Sequence, residues 1–302
     1  MTRTGVLLVT LGGPRTRDEV PVFLERFTGR DLSPPVLRAV VERYDRIGGC
    51  SPLDTITEQQ AAALEALLGD GTVCRAAFRH SEPSIETQIA ALHKLGVARL
   101  VLLVTSPFFA SVTTGNHLAH AKQVLADSGW GVEVLFVHGW YAEPLFITAW
   151  SERIVREALL ADARWVFSAH SLPERLAAEP YRGQIEAACA AIASRLSLGR
   201  WTLGWQSVPG GAREPWIGPA VEEVLDGLAR DDAAKPVVQV PVGFTADHIE
   251  TLYDIDVLHR EHAAKLGLPW RRVSSLNADP LFIRALAQVL VEALARPERH
   301  RP

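Results

Sequence analysis

GVLLVTLGGP, residues 5–14, is an apolar run closed by two glycines and a proline. A membrane span needs about 20 apolar residues, so this run is too short to be one. It also lacks the small-residue cleavage site that follows the apolar region of a signal peptide. It reads as a buried strand. Runs of the same kind recur: TVCRAAF (72–78), RLVLLVTSPFF (99–109), VEVLFVH (132–138), RWVFSAH (164–170), RWTLGWQ (200–206) and PVVQVPVGF (236–244). A helix-like stretch follows each. Continuous apolar strands alternating with helices predict parallel sheets covered on both faces.

The helical stretches carry their own punctuation. In TEQQAAALEALLG (57–69), Thr57 is placed as an N-cap and Gly69 as a stop. In PLFIRALAQVLVEALARP (280–297), Pro280 fits the first turn and Pro297 lies beyond the end. The pattern falls into two similar halves, the second starting after the helical stretch LFITAWSERIVREALL (145–160). The expected domains are 1–145 and 146–302, with a C-terminal helix over 280–295 packing across the two. Two doubly wound α/β lobes facing each other leave a cleft between strand C-terminal ends, where such folds bind ligands.

Composition removes several classes. A net charge of −4, with 22% charged residues among 302, lacks the basic balance of a nucleic-acid binder. Cys50, Cys74 and Cys189 are dispersed, with no CxxC, and are too few for the four thiolates of an iron–sulfur cluster. They read as free thiols of a cytoplasmic protein. No later segment reaches about 18 uninterrupted apolar residues.

The chemistry sits at the strand ends. Gly12-Gly13 makes either a tight turn or an anion-binding backbone. Neither GxGxxG nor GxxxxGK[ST] is present, which argues against a dinucleotide or a nucleoside triphosphate. RWVFSAHSLPE (164–174) delivers His170, beside Ser171; neither Ser168 nor Ser171 lies in the GxSxG elbow of a hydrolase. His80, His93 and His138 read as structural. WTLGWQS (201–207) delivers Trp205, Gln206 and Ser207. PVGFTADHIETLYDID (241–256) crowds Asp247, Glu250, Asp254 and Asp256 around His248. A helix starting near Ala246 would put Asp247, Glu250 and Asp254 on one face and turn Asp256 into solvent. The helix dipole favours carboxylates in the first turn. Such a stripe, leading to a histidine, guides a divalent cation or takes up protons; the alternative is a solvated helix face.

LLVTLGGPRT (7–16), IGGCSPL (47–53), SEPSIET (81–87), SAHSLPE (168–174), GWQS (204–207), WIGP (216–219), GFTADHIETLYDID (243–256) and SLNADPLFI (275–283) together resemble the ferrochelatase family over nearly the whole chain. SAHSLP followed by DHIETLY is the specific part. The resemblance implies two similar lobes, each a four-stranded parallel sheet flanked by helices, with the active cleft between them. It implies that His170 and Glu250 are the catalytic pair and the metal ligands. Asp247, His248 and Asp254 then support the pair or form a proton and metal path. Substrate contact falls to Leu11, Arg15, Phe108, Phe109, Trp205 and Trp216. Metallation of a porphyrin removes two N–H protons as one cation enters, and an imidazole and a carboxylate can serve both needs. Iron(II) accepts both ligand types.

The implied activity is insertion of Fe(II) into a porphyrin in haem biosynthesis. Iron is then a substrate, with no tightly bound cofactor and no iron–sulfur cluster. The implied protein is a monomer, without a nucleic-acid partner and with at most weak peripheral membrane contact. LGGP and DHIETLYDID favour protoporphyrin IX; PVGFTADH, GWQS and VPGGAREPW (208–216) favour coproporphyrin III, with Arg15, Arg17, Arg26, Arg30, Arg43, Arg46 and Arg213 as candidates to meet propionates. Some departures alter the site. Many relatives carry Tyr-Pro-Gln-Tyr-Ser where this chain has Ser106-Pro107-Phe108-Phe109-Ala110, some carry a tyrosine at Leu11, and the acidic stripe ends at Leu258. Two alternatives are a cobalt or nickel chelatase acting on another tetrapyrrole and a non-catalytic haem or porphyrin carrier. The pairing of one histidine with Glu250 argues against the first, and retention of both residues against the second.

Overall fold

Two four-stranded parallel sheets organise this chain, whose computed structural model describes residues 3–158, 162–209 and 211–299. The first unit comprises the described residues of Met1–Leu145 and Asn277–Pro302. Its sheet has the order β2-β1-β3-β4, with β1 at Thr4–Thr10, β2 at Thr72–Phe78, β3 at Arg99–Val104 and β4 at Glu133–Val137. Leu7, Leu8 and Leu100 to Leu103 have no exposed surface, because helices cover both faces. That double covering is why the strand sequences are continuously apolar.

Helices α1 (Val20–Thr28), α2 (Pro34–Asp45), α3 (Leu53–Leu68), α4 (Ile85–Lys94) and α5 (Asn116–Ser128) belong to this unit. Ile85, Ile89 and Leu92 of α4 and Leu118, Ala121 and Leu125 of α5 share one apolar cluster with Leu7, Val9, Leu100 and Leu102. α3 ends at Gly69, as expected, but starts four residues before Thr57. Thr57 lies inside the helix, where its hydroxyl donates to the Leu53 carbonyl at 2.8 Å.

The chain passes to the second unit, Phe146–Leu276, within α6 (Pro144–Ala158). Leu159 and Leu160, the end of the helical stretch expected there, lie outside the described residues. This unit's sheet has the order β6-β5-β7-β8, with β5 at Arg164–His170, β6 at Trp201–Gln206, β7 at Val237–Val240 and β8 at Trp270–Arg272. β8 was not among the expected strands. Three residues with two arginines carry no apolar run. Helices α7 (Pro180–Arg195), α8 (Val221–Asp232), α9 (Ile249–Leu252) and α10 (Arg260–Lys265) complete the unit, with a π-helical segment at Asp254–His259 between the last two.

α11 (Pro280–Ala295) is capped by Asp279, whose carboxylate accepts the Leu281 N–H at 2.9 Å. It packs against α3 and β4, so the described residues 277–299 group with the first unit. The expected domain 146–302 is corrected at that end. Among the described residues no helix is long and apolar enough to cross a membrane, and all three cysteines are free.

Candidate active site

β5 ends at His170, and the backbone that follows β7 passes directly over that end. A Cβ on Gly243 would lie 2.7 Å from the Ala169 Cα, so only glycine fits the crossing. The crossing carries the chain into α9, which brings Glu250 to His170. Glu250 Oε1 lies 3.4 Å from His170 Nε2, and Glu250 Oε2 lies 3.3 Å from His248 Nε2. One carboxylate is thus shared by two imidazoles. The far nitrogen of each ring is fixed by a carbonyl: His170 Nδ1–H donates to Ser171 O, and His248 Nδ1–H donates to Ala246 O at 3.1 Å. Gln206, opposite His170 in the sheet, donates to the Glu250 carbonyl at 2.8 Å. Tyr181 donates to the His170 carbonyl at 3.0 Å.

Electrostatics follow from this sharing. Burial disfavours charge on His170, but the Glu250 carboxylate outweighs it and raises the imidazole to about 9. His248 is raised in the same way, burial again being opposed by Glu250. Burial pushes Glu250 up, and the two imidazoles overcome it to hold the carboxyl well below the usual carboxylate range. Ion-pair exposure is limited but real: the His170 and Glu250 side chains are 31% and 27% exposed. The pair can therefore be reached from solvent.

The acidic stretch is not one helical stripe. Asp247 precedes α9 and is bound by Arg272 at 2.8 Å. Asp254 accepts the Ser207 hydroxyl at 2.6 Å. Ser207 holds a left-handed backbone, φ 64°, which costs a non-glycine residue about 1–2 kcal/mol. Asp256, expected in solvent, is paired with Arg272 Nε at 2.8 Å. The expectation assumed an unbroken 3.6 period. The helix instead unwinds into π geometry at Asp254, which shifts the phase of every later side chain. Arg272 was missed because its strand was.

The expected substrate contacts divide. Trp216 is partly exposed, and its ring centroid lies 6.4 Å from that of His170. Trp205 is 1% exposed and packs on Tyr181. Its ring has no free face to offer a ligand. Leu11, Arg15, Phe108 and Phe109 belong to the first unit. Phe108 has no exposed surface, whereas Phe109 is partly exposed and packs beside His138 at 4.9 Å. Leu11 is partly exposed, with its carbonyl accepting the His80 N–H. Arg15 is held by Glu58 at 2.6 Å and lies 3.6 Å from Asp54, so its charge is matched within the protein. Arg17 is likewise bound by Asp45 at 2.6 Å. Gly210, in the loop 208–216, lies outside the described residues.

The Gly12-Gly13 turn is closed on the protein itself. Gly12 has φ +84°, and a Cβ there would lie 2.2 Å from Ser81 Oγ. Gly13 donates its N–H to Asp54, which also accepts from Ser81 at 2.6 Å. The tight-turn alternative therefore describes this backbone.

Among the described residues no group of three or more His, Cys, Asp and Glu is arranged to hold a metal ion. What the site offers a cation is the pair His170 and Glu250, with His248 behind the carboxylate. That arrangement can exchange protons for a divalent ion: a positive ion beside Glu250 takes over the role of the imidazolium charges and lowers the affinity of both rings for protons.

A family model described as ferrochelatase matches residues 3–294. The chain is 36% identical to a ferrochelatase of Geobacter metallireducens, across 96% of this chain and 98% of that protein. It is 34% identical to the coproporphyrin III ferrochelatase of Bacillus subtilis, across 97% of this chain and 99% of that one. In fold it is similar to SirB from Bacillus subtilis with Fe3+, at a TM-score of 0.65, 15% identity and 98% coverage of both chains.

Proposed function

The chain belongs to the ferrochelatase family, and from that premise we propose that it inserts ferrous iron into a porphyrin at His170 and Glu250. The observation that carries the assignment of residues is the Glu250 carboxylate held between His170 at 3.4 Å and His248 at 3.3 Å. The reaction exchanges one Fe2+ for the two pyrrole N–H protons of the macrocycle. In the resting site His170, raised to about 9, carries a proton at neutral pH and pairs with ionised Glu250. Arrival of Fe2+ beside Glu250 expels that proton, and the freed imidazole then ligates the ion or accepts a pyrrole proton. His248 keeps the carboxylate aimed at His170. Trp216 supplies a flat apolar wall beside the reacting pair.

Protoporphyrin IX is the substrate we assign first. Of the arginines able to meet extra propionates, Arg15 and Arg17 are already bound by carboxylates, and Phe109 adds apolar surface in that unit. Each added propionate left against apolar surface would be costly to desolvate. Coproporphyrin III is the second reading, favoured by the Bacillus subtilis relative and by the exposed Arg213. The test is steady-state metallation with iron(II) in the absence of oxygen. The expected result is a higher kcat/KM for protoporphyrin IX. A higher value for coproporphyrin III moves the substrate and keeps the reaction, whereas failure to metallate either porphyrin overturns the proposal.

A further inference from the structure

Alternate residues of a strand face the same way, so Val166, Ser168 and His170 share one face of β5. The chain that follows Glu250 runs beside this face in three layers. At the top His170 meets Glu250. At the bottom Val166 shares an apolar cluster with Ala263 of α10. Between them lies a polar layer of Ser168, Gln239 and His259, which are 0%, 0% and 2% exposed.

The hydrogen bonds of the Gln239 side chain fix the orientation of this layer. Trp270 Nε1 approaches the Gln239 side-chain oxygen at 3.3 Å, and an indole only donates, so the amide orientation is fixed. The Gln239 amide nitrogen then donates to Ser168 Oγ at 3.0 Å and to His259 Nδ1 at 3.1 Å. A ring nitrogen that accepts leaves the proton on Nε2, which faces Glu222 of α8 at 3.7 Å. Burial, with a smaller effect of His262, lowers this imidazole to about 3, so it stays neutral. A glutamine inside the apolar run of a central strand thus has its amide oxygen and both amide hydrogens used, one of them on His259.

We propose that His259, fixed by Gln239, is a positioning residue that sets the spacing between Glu250 and His170. His259 closes the π-helical segment Asp254–His259, and π winding lacks the regular i to i−4 ladder that makes an α-helix stiff. A segment so wound needs an anchor at its end. The anchor is tied, through Gln239, to Ser168, two residues before His170 on the same strand face. The catalytic role of the proposal rests on the assignment of His170 and Glu250 made above. The spatial claim does not.

The test compares crystal structures and kinetics of the full chain with those of His259→Leu, His259→Asn and the double variant Gln239→Leu/His259→Leu. In His259→Leu the separation of His170 Nε2 from Glu250 Oε1 is expected to open by about 1 Å, and kcat to fall on the order of a hundredfold, with KM for iron little changed. His259→Asn places an acceptor where Nδ1 stood and should restore most of kcat. The double variant removes the donor that His259→Leu leaves unmatched, but also the acceptor of the Trp270 indole N–H and the donor to Ser168, so its folding stability recovers only in part; its kcat should stay low. An unchanged separation in folded His259→Leu overturns the proposal, as does a double variant with normal kcat. If the wild type metallates no porphyrin, the assigned reaction falls, and the measured separation alone decides the positioning claim.

Discussion

Asp256 Oδ1 lies 2.8 Å from Arg272 Nε, and this pair ties the π-helical segment to the end of β8. Arg272 also holds Asp247 at 2.8 Å, and its own side chain is only 11% exposed. The guanidinium is a clamp between Asp247, two residues ahead of α9, and the segment after α9. Glu250 lies on the loop of chain so closed. Replacing Arg272 by Met would leave two partly buried carboxylates without their cation, at a cost of about 3–5 kcal/mol. Asp256→Asn loses one charge-assisted bond and should cost about 1.5–3 kcal/mol. Urea unfolding of both variants measures this. An Arg272→Met midpoint equal to that of the wild type would show that the clamp contributes nothing.

Glu250→Gln keeps the shape of the side chain and removes the charge that both histidines face. Its kcat for metallation is expected to fall by about 100-fold or more. Asp254 already has the Ser207 hydroxyl as a partner, and an asparagine oxygen can accept the same bond. Asp254→Asn should therefore lower kcat only a few-fold, on the order of one lost charge effect near solvent. Single-turnover metallation compares the two, and a larger loss in Asp254→Asn would transfer the principal role to that residue.

Stability should carry the signature of the shared carboxylate. The folded-state pKa of His170 is raised from 6.5 to about 9, so its stabilising contribution is complete below 6.5 and lost as pH rises through about 9. Glu250 is depressed, so its contribution is present above the ordinary carboxylate value, about 4.3, and lost as pH falls below it. Thermal unfolding from pH 3 to 10.5 is expected to show both flanks in the wild type. In His170→Ala the fall through pH 9 should be shallower. Identical alkaline slopes in the two proteins would mean that His170 and Glu250 are not coupled in solution.

Much of the fold was legible because parallel strands covered on both faces must be apolar at every position. Seven strands announce themselves in this way. β8 does not, since Trp270–Arg272 is short and two of its three side chains are cationic. The proposed pair, His170 and Glu250, was visible in SAHS and DHIET, where a histidine and carboxylates crowd strand ends. What lay hidden was the partner of each acid. Asp256 could be placed only by knowing both that the helix unwinds at Asp254 and that Arg272 stands on a neighbouring strand. The polar layer left one trace, Gln239 in the middle of PVVQVPV, but its partner His259 follows twenty residues later, beyond the change of helical winding.

The return of residues 277–299 to the first unit sets an order for biosynthesis. A ribosome makes the first sheet before the second unit and α11 after it. Phe282, Leu286 and Leu290 of α11 are buried, so the first unit lacks part of its apolar interior until translation reaches them. The second unit is continuous in sequence and is complete before α11 emerges. The first unit is therefore begun before the second and completed after it, and until then its unfilled side is exposed apolar surface of the kind that chaperones cover.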